Sequence, residues 1–246
     1  KEKIFVLGAG SNVLIEDNYF KGVIIKLGKN FSNISLLTET TLVAGSATID
    51  KKLSEFACKN NIGGFEFLSC IPGTIGGGLR MNSGCFHKEF KDILLSIQAV
   101  DKDGKILTIP SSKIKFTYRG NDLSKDIIFL SASFKGKFED KQIIQNNINS
   151  LKVKKDQSQP TKIKTGGSTF KNPKDQTNEK VWELIKKSVS LDTKFGGAEI
   201  SKKHCNFFVN KNNATFTDMK NLIDFVKQSV KSKTGIDIET EIEIVK

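Results

Sequence analysis

The chain has 246 residues, 37% hydrophobic and 27% charged, with 18 Phe spread along it, which reads as one large or two modest soluble globular domains and excludes a disordered tail or a fibrous repeat. Its apolar runs, such as 4–7 and 127–130, fall far short of the roughly 20 residues of a spanning helix. The formal charge of +12 divides evenly, +6 on each side of residue 138, so neither half is a basic arm, and the densest run (Lys152, Lys154, Lys155) has no interleaved aromatic to stack bases.

The first third reads as short β-branched strands, 4–7, 13–15, 23–27, 34–37 and 41–44, separated by Gly, Asn and Asp. Lys1 leads straight into the first of them with no signal-peptide layout, so the natural chain is expected to begin earlier. Gly8-Ala9-Gly10-Ser11-Asn12 follows that strand but lacks the third glycine and the helix of a dinucleotide fingerprint, because Val13-Leu14-Ile15 continues as strand. Taken alone it reads as a tight hairpin, with amides free of side chains that suit an anion such as a pyrophosphate. Thr48 is the expected cap of a helix carrying Leu53, Phe56 and Ala57.

Residues 69–84 hold the more specific signal: Ile71-Pro72-Gly73-Thr74-Ile75-Gly76-Gly77-Gly78, then Asn82-Ser83-Gly84. Glycines this dense point to close backbone approach by a flat or phosphorylated ligand. The interleaved Ile71, Ile75, Leu79 and Met81 argue against a merely flexible loop. Asp103-Gly104 marks a hairpin between strands 93–100 and 105–109, and 127–134 is a further strand.

From about Glu139 the texture becomes helical. Ile143, Ile144, Ile148 and Leu151 share one face up to Gln159-Pro160. A glycine loop, 166–173, precedes a helix with Val181, Trp182 and Ile185. Thr217 is the expected cap of a helix that Gly235 ends, and residues 236–244 alternate Ile with acid as a closing strand. The expected architecture is α+β in two domains, 1–138 and 139–246, with the last strand, 236–245, free to return to the first.

The four cysteines, Cys58, Cys70, Cys85 and Cys205, form no CxxC pair, and with only His87 and His204 available no metal site is expected. Both histidines read as ordinary loop residues, with His204 just before the strand 207–209. Of 39 basic residues only Arg80 and Arg119 are Arg, and only Arg offers a flat fork for holding an oxyanion at two points.

The glycine turn at 8–12, Ile-Pro-Gly-Thr-Ile-Gly-Gly at 71–77 with Met81-Asn82-Ser83-Gly84, Tyr118-Arg119, the segment 167–173, Gly196-Gly197-Ala198 and Ile238-Glu239-Thr240-Glu241-Ile242 occur in that order. In this order they resemble the UDP-N-acetylenolpyruvoylglucosamine reductase (MurB) family over nearly the whole chain. The resemblance implies a cytoplasmic flavoenzyme of peptidoglycan precursor synthesis, with FAD in a domain of the vanillyl-alcohol-oxidase type and a C-terminal substrate domain. It also implies NADPH as co-substrate and hydride transfer to the enolpyruvyl group of a UDP-sugar.

By that resemblance Ser168 is the proton donor, and Arg119 and Glu241 polarise the substrate carboxylate. Gly8, Ala9, Gly10, Ser11, Asn12, Ile71, Pro72, Gly73, Thr74, Gly76, Gly77, Asn82, Ser83 and Gly84 hold the cofactor. Tyr118, Lys171, Asn172 and His204 lie at the substrate. Members usually carry a further strand and helix before the first glycine turn, so the chain is expected to lack one strand of the flavin domain. The short stretch from Arg119 to Ser168 fits the subgroup without a tyrosine-bearing insertion. A monomer that binds neither nucleic acid nor membrane is expected. The alternatives are another flavin oxidoreductase of the same fold and a non-catalytic basic binding protein.

Overall fold

The β-branched runs of the first half pair much as their alternation requires. In the computed structural model, which describes residues 2–160 and 163–246, five of them form an antiparallel sheet in the spatial order Ile106–Pro110, Leu94–Val100, Ile128–Lys135, Thr41–Gly45, Ile34–Thr38. One face carries Leu42, Ala44, Ile97, Ala132 and Phe134 into a core completed by helix α1 (Asp50–Lys59) and helix α2 (Ile75–Arg80). Phe65, Phe67, Phe90 and Phe134 meet edge-on or tilted there, with ring centroids 6.0–6.4 Å apart. Gly78 is required by this packing, since a Cβ on it would lie 2.2 Å from the Phe90 ring.

The chain divides into two compact units, 1–9 with 22–155, and 10–21 with 156–246. The division thus falls at 155/156, where the sequence suggests 138. The reason is helix α3 (Lys141–Ser158), whose buried Ile144 and Ile148 cluster with Cys58 of α1.

The second unit is built on an antiparallel sheet ordered Thr165–Ser168, Phe207–Asn210, Ala198–Ile200, Lys194–Phe195. Helices α4 (Val181–Ser188) and α5 (Phe216–Thr234) cover it, burying Leu184, Ile185, Leu222, Val226 and Val230. Among the described residues, no helix is long and apolar enough to cross a membrane.

Four local expectations change. The strands flanking the first glycine turn do not form a hairpin: Ile4–Val6 pairs parallel with Val23–Ile25, and Val13–Ile15 pairs parallel with Glu243–Val245. Ile49, not Thr48, precedes α1, while the Thr48 carbonyl accepts the amide of Ile75 at 2.9 Å. Thr215, not Thr217, caps α5 through a reciprocal box: the Asp218 amide donates to Thr215 Oγ1 at 3.1 Å, and the Thr215 amide to Asp218 Oδ2 at 3.0 Å. The closing strand is only Glu243–Val245, preceded by an isolated bridge between Phe170 and Thr240. Gly235 ends α5 in the left-handed conformation as expected, at φ 72°.

Candidate active site

In the first unit the glycine-rich segment lies on the turn between the Thr41–Gly45 strand and α1. The amides of Ile75 and Gly76 donate to the carbonyls of Thr48 and Ser46, both at 2.9 Å, and the Asp50 amide donates to the Gly73 carbonyl at 3.1 Å. The two glycine motifs meet here: a Cβ on Gly8 would stand 2.7 Å from Thr74 Oγ1. Beside this loop Ser46 Oγ, Thr48 Oγ1 and both Asp50 carboxyl oxygens are buried without a hydrogen-bond partner among the described residues, as is Ser83 Oγ further along it. Burial pushes the Asp50 carboxyl well above its ordinary range, toward the neutral form.

Not every predicted cofactor residue faces outward. Asn82 is fully buried, with its amide donating to Glu89 Oε2 at 2.9 Å and the Thr117 carbonyl at 3.2 Å, while its Oδ1 accepts the Lys91 amide at 3.1 Å. It knits three segments together. Arg80 is likewise structural: its guanidinium donates to the carbonyls of Leu123, Ser124 and Ile127 and stacks 4.2 Å over Phe129.

Tyr118 and Arg119 form the two-residue tip between strands Phe116–Thr117 and Gly120–Asn121. Arg119 sits at φ 63°, a left-handed conformation that L side chains adopt at a cost, with its guanidinium 4.9 Å from the Tyr118 ring.

In the second unit Ser168 ends its strand, opposite Phe207 and just after Gly167 at φ 82°. The next residues are clamped on two sides. On one side the Thr169 amide donates to the Asn206 carbonyl at 2.7 Å, and the Asn206 side chain exchanges bonds with the Phe170 amide (3.0 Å) and carbonyl (2.9 Å). On the other, the Glu241 amide donates to the Thr169 carbonyl at 2.8 Å, and the Lys171 amide to the Glu239 carbonyl at 2.9 Å.

Glu241 is half-buried, whereas Asp237, Glu239 and Glu243 are exposed, so it departs from the solvated acidic face its alternation suggests. Asn12 fixes it: Asn12 Nδ2 donates to the Glu241 carbonyl at 3.0 Å, and the Glu243 amide donates to the Asn12 carbonyl at 2.9 Å. A Cβ on Gly167 would stand 3.7 Å from the Ser11 carbonyl oxygen. Ser11 and Asn12, read as cofactor residues, therefore border the Ser168 loop.

His204 joins this corner, its ring 4.9 Å from and edge-on to Phe207, with its Nδ1 accepting the Asn206 amide at 3.3 Å. Burial holds its pKa below the ordinary value, which favours the neutral ring. Lys171 pairs with Glu239 at 3.2 Å on the surface, and Asn172 Oδ1 accepts the Val181 amide at 3.0 Å at the start of α4. Ser168, His204 and Glu241 all lie in the second unit, Ser168 opposite Phe207, His204 against the Phe207 ring and Glu241 bonded to the Thr169 carbonyl; Tyr118 and Arg119 belong to the first.

The central residue that sequence reading passes over is Asn206. Its signal is a polar side chain inside the apolar run 205–209, where burial demands partners. Among the described residues no group of three or more His, Cys, Asp or Glu could hold a metal.

Two family profiles match this chain: "FAD binding domain" over residues 1–110, and "UDP-N-acetylenolpyruvoylglucosamine reductase, C-terminal domain" over residues 159–245. The UDP-N-acetylenolpyruvoylglucosamine reductase of Pelagibacter ubique is 68% identical over all 246 residues, which cover 82% of that relative. That of Rickettsia typhi is 45% identical over 99% of this chain and 81% of its own length. The crystal structure of the Thermus caldophilus enzyme superposes with a TM-score of 0.84 at 28% identity, over 100% of this chain and 86% of the other. With matches of this extent and both profiles in order along it, the chain belongs to the UDP-N-acetylenolpyruvoylglucosamine reductase family.

Proposed function

We propose that this protein is an FAD-dependent oxidoreductase that uses NADPH to reduce the enolpyruvyl ether of UDP-N-acetylglucosamine to UDP-N-acetylmuramate, a step of peptidoglycan precursor synthesis in the cytoplasm. The observation that carries the reading is the clamped Ser168 loop, with Glu241 fixed beside it by backbone bonds on both sides, in a chain of this family.

The first unit suits the flavin. Gly8 and Thr74 approach too closely for a side chain, and Ser46, Thr48, Asp50 and Ser83 carry buried oxygens without partners among the described residues beside the loop. That donor set fits a phosphorylated, hydroxyl-rich group. Gly8, Ala9, Pro72, Gly73, Thr74, Gly76 and Gly77 would hold it, and when bound it supplies the hydride that NADPH provides.

The remaining work falls to side chains. Ser168 gives a proton to the substrate carbon next to the one that gains hydride. A serine hydroxyl is a weak acid, so its position, set by the Asn206 bonds on the following residues, matters more than its acidity. Arg119 holds the substrate carboxylate at two points and stabilises the enolate-like charge, with Glu241 orienting the same group. Neutral His204, Tyr118, Lys171 and Asn172 contact the substrate.

The test is NADPH oxidation by the full-length enzyme with and without the UDP-sugar enolpyruvyl ether. Oxidation that depends on this ether, by a yellow protein, is the expected result. A colourless protein that ignores added FAD, or NADPH oxidation indifferent to the ether, would refute the reading.

A further inference from the structure

Tyr118 and Arg119 are presented by a strand pair of only two registers, Phe116 opposite Asn121 and Thr117 opposite Gly120, which no third strand joins. A two-stranded hairpin is marginally stable by itself in water. A tip that has to aim a guanidinium therefore needs anchors from outside the pair, and the first unit supplies one on each strand.

On the incoming strand, the fully buried Asn82 donates through Nδ2 to the Thr117 carbonyl at 3.2 Å. On the outgoing strand, Asn121 Nδ2 donates to the carbonyls of Leu79 and Arg80, at 3.0 and 3.1 Å, which are the last two residues of α2. Asn121 Oδ1 accepts the Leu123 amide at 3.1 Å, so both ends of its carboxamide are bonded. Below the pair, the Asp122 amide donates to the Lys115 carbonyl at 3.2 Å, and the Lys115 amide to Asp122 Oδ1 at 2.9 Å. The Arg80 guanidinium holds the chain that leaves the hairpin by the carbonyls of Leu123, Ser124 and Ile127.

The closing carbonyls of a helix have no partner within it, and water satisfies them as well as a side chain does. At α2 the partner is a side chain whose own backbone lies in the hairpin, so capping the helix also fixes the hairpin. Arg119 stands two residues from Thr117 and two from Asn121, midway between the anchors. Its left-handed backbone, at φ 63°, persists only where the surroundings over-determine it.

We propose that Asn121, with Asn82 on the opposite strand, is a positioning residue for Arg119: its two bonds to the end of α2 set where the guanidinium meets the substrate carboxylate. This rests on the reading of Arg119 as the residue that holds that carboxylate. Contact at two points tolerates little misplacement, so a shift of the hairpin is felt at the reacting group. Because α2 lies within the glycine-rich segment 71–84, the same bonds put the cofactor segment and the substrate arginine on one frame.

Asn121→Asp is the principal variant: it keeps the shape and an acceptor for the Leu123 amide and loses the donor to residues 79 and 80. Asn121→Ser, free of the added charge, reads the same quantities if the first variant fails to fold. In the full-length, FAD-loaded enzyme, rapid mixing is expected to show oxidation of the reduced enzyme by the enolpyruvyl ether slowed about 10–100-fold, with reduction by NADPH changed by less than about twofold. Calorimetry on the oxidised enzyme is expected to show the ether bound about tenfold more weakly, and UDP-N-acetylglucosamine, which lacks the carboxylate, bound as before. In an Arg119→Ala background the same substitution adds nothing to either loss, because what Asn121 positions is gone. Equal slowing of both half-reactions, weaker binding of both UDP-sugars, or losses that multiply with those of Arg119→Ala would overturn the proposal. Undiminished reduction of the ether by Arg119→Ala with Asn121 intact would instead refute the reading of Arg119 itself.

Discussion

The two regions that carry chemistry are finished in opposite ways. Around the glycine-rich segment of the first unit, Ser46, Thr48, Asp50 and Ser83 keep buried oxygens without partners among the described residues. Around Ser168 in the second unit, the backbone of residues 169–171 is engaged on both sides, by Asn206 and by the 239–241 stretch. An interior with unmet hydrogen-bonding capacity is costly on its own and is built to receive something. A loop in which the amide and carbonyl of both Thr169 and Phe170 are bonded is held in one place. The first region is a receptor and the second is a jig.

Four substitutions probe that contrast, taken from the largest effect to the smallest. Ser168→Ala removes the proposed proton donor and leaves the bonds of residues 169–171 in place, so steady-state turnover falls by about 10²–10⁴-fold. Flavin bleaching by NADPH persists in a rapid-mixing experiment, and unchanged turnover would remove the jig's purpose. Asn206→Ala leaves the Phe170 amide and carbonyl buried without partners. It lowers stability in urea unfolding by about 2–4 kcal/mol, and turnover falls with it.

Gly78→Ala forces a methyl against the Phe90 ring and costs about 1–3 kcal/mol by the same measurement; a neutral result would mean that α2 can shift. Asp50→Asn works in the other direction. Because the folded-state pKa is raised above the ordinary 3.8, the native state holds its proton to higher pH than the unfolded chain does. Native stability therefore declines as pH climbs from about 3.8 through the raised value and stays lower above it. The amide removes that decline. The variant melts roughly 2–4 °C higher than the parent at neutral pH and close to it near pH 4, as scanning calorimetry would record. Equal melting at both pH values would place a charge-stabilising partner at Asp50.

How much of this was legible in the sequence depends on the range of the interaction. Helices α1, α3, α4 and α5, and the Asp103-Gly104 hairpin, follow from local periodicity and turn chemistry. Even a misplaced cap at α5 was local, since Thr215 and Asp218 spell a capping box two residues upstream of the expected Thr217. What composition could not reveal is partner choice. Val13–Ile15 looks like the second arm of a hairpin, but its partner is Glu243–Val245. The helical face of Ile144 and Ile148 does not say which core it covers, which is why the boundary moved to 155/156.

The site divides along the same line. Ser168 and Arg119 stand in motifs and were visible in them. Asn206 and Asp50 are visible only once burial turns a polar residue in an apolar stretch into a demand for partners. Glu241 is one acid among several in an alternating stretch, and only its half-burial and the Asn12 bond to its carbonyl set it apart.

That parallel pairing of residues 13–15 with 243–245 also governs the order in which the protein can be assembled. Its partners, such as Val13 and Glu243, stand far apart in sequence, so loop closure must be met before any of them forms. On a ribosome the sheet and α1–α3 of the first unit can condense while the second is still being made. Residues 10–21, by contrast, must wait, tethered to a finished neighbour, until the strand Glu243–Val245 emerges. The corner holding Ser168 and Glu241 therefore closes only after residues 243–245 are available, and a chain stalled before residue 243 has a formed receptor and no jig.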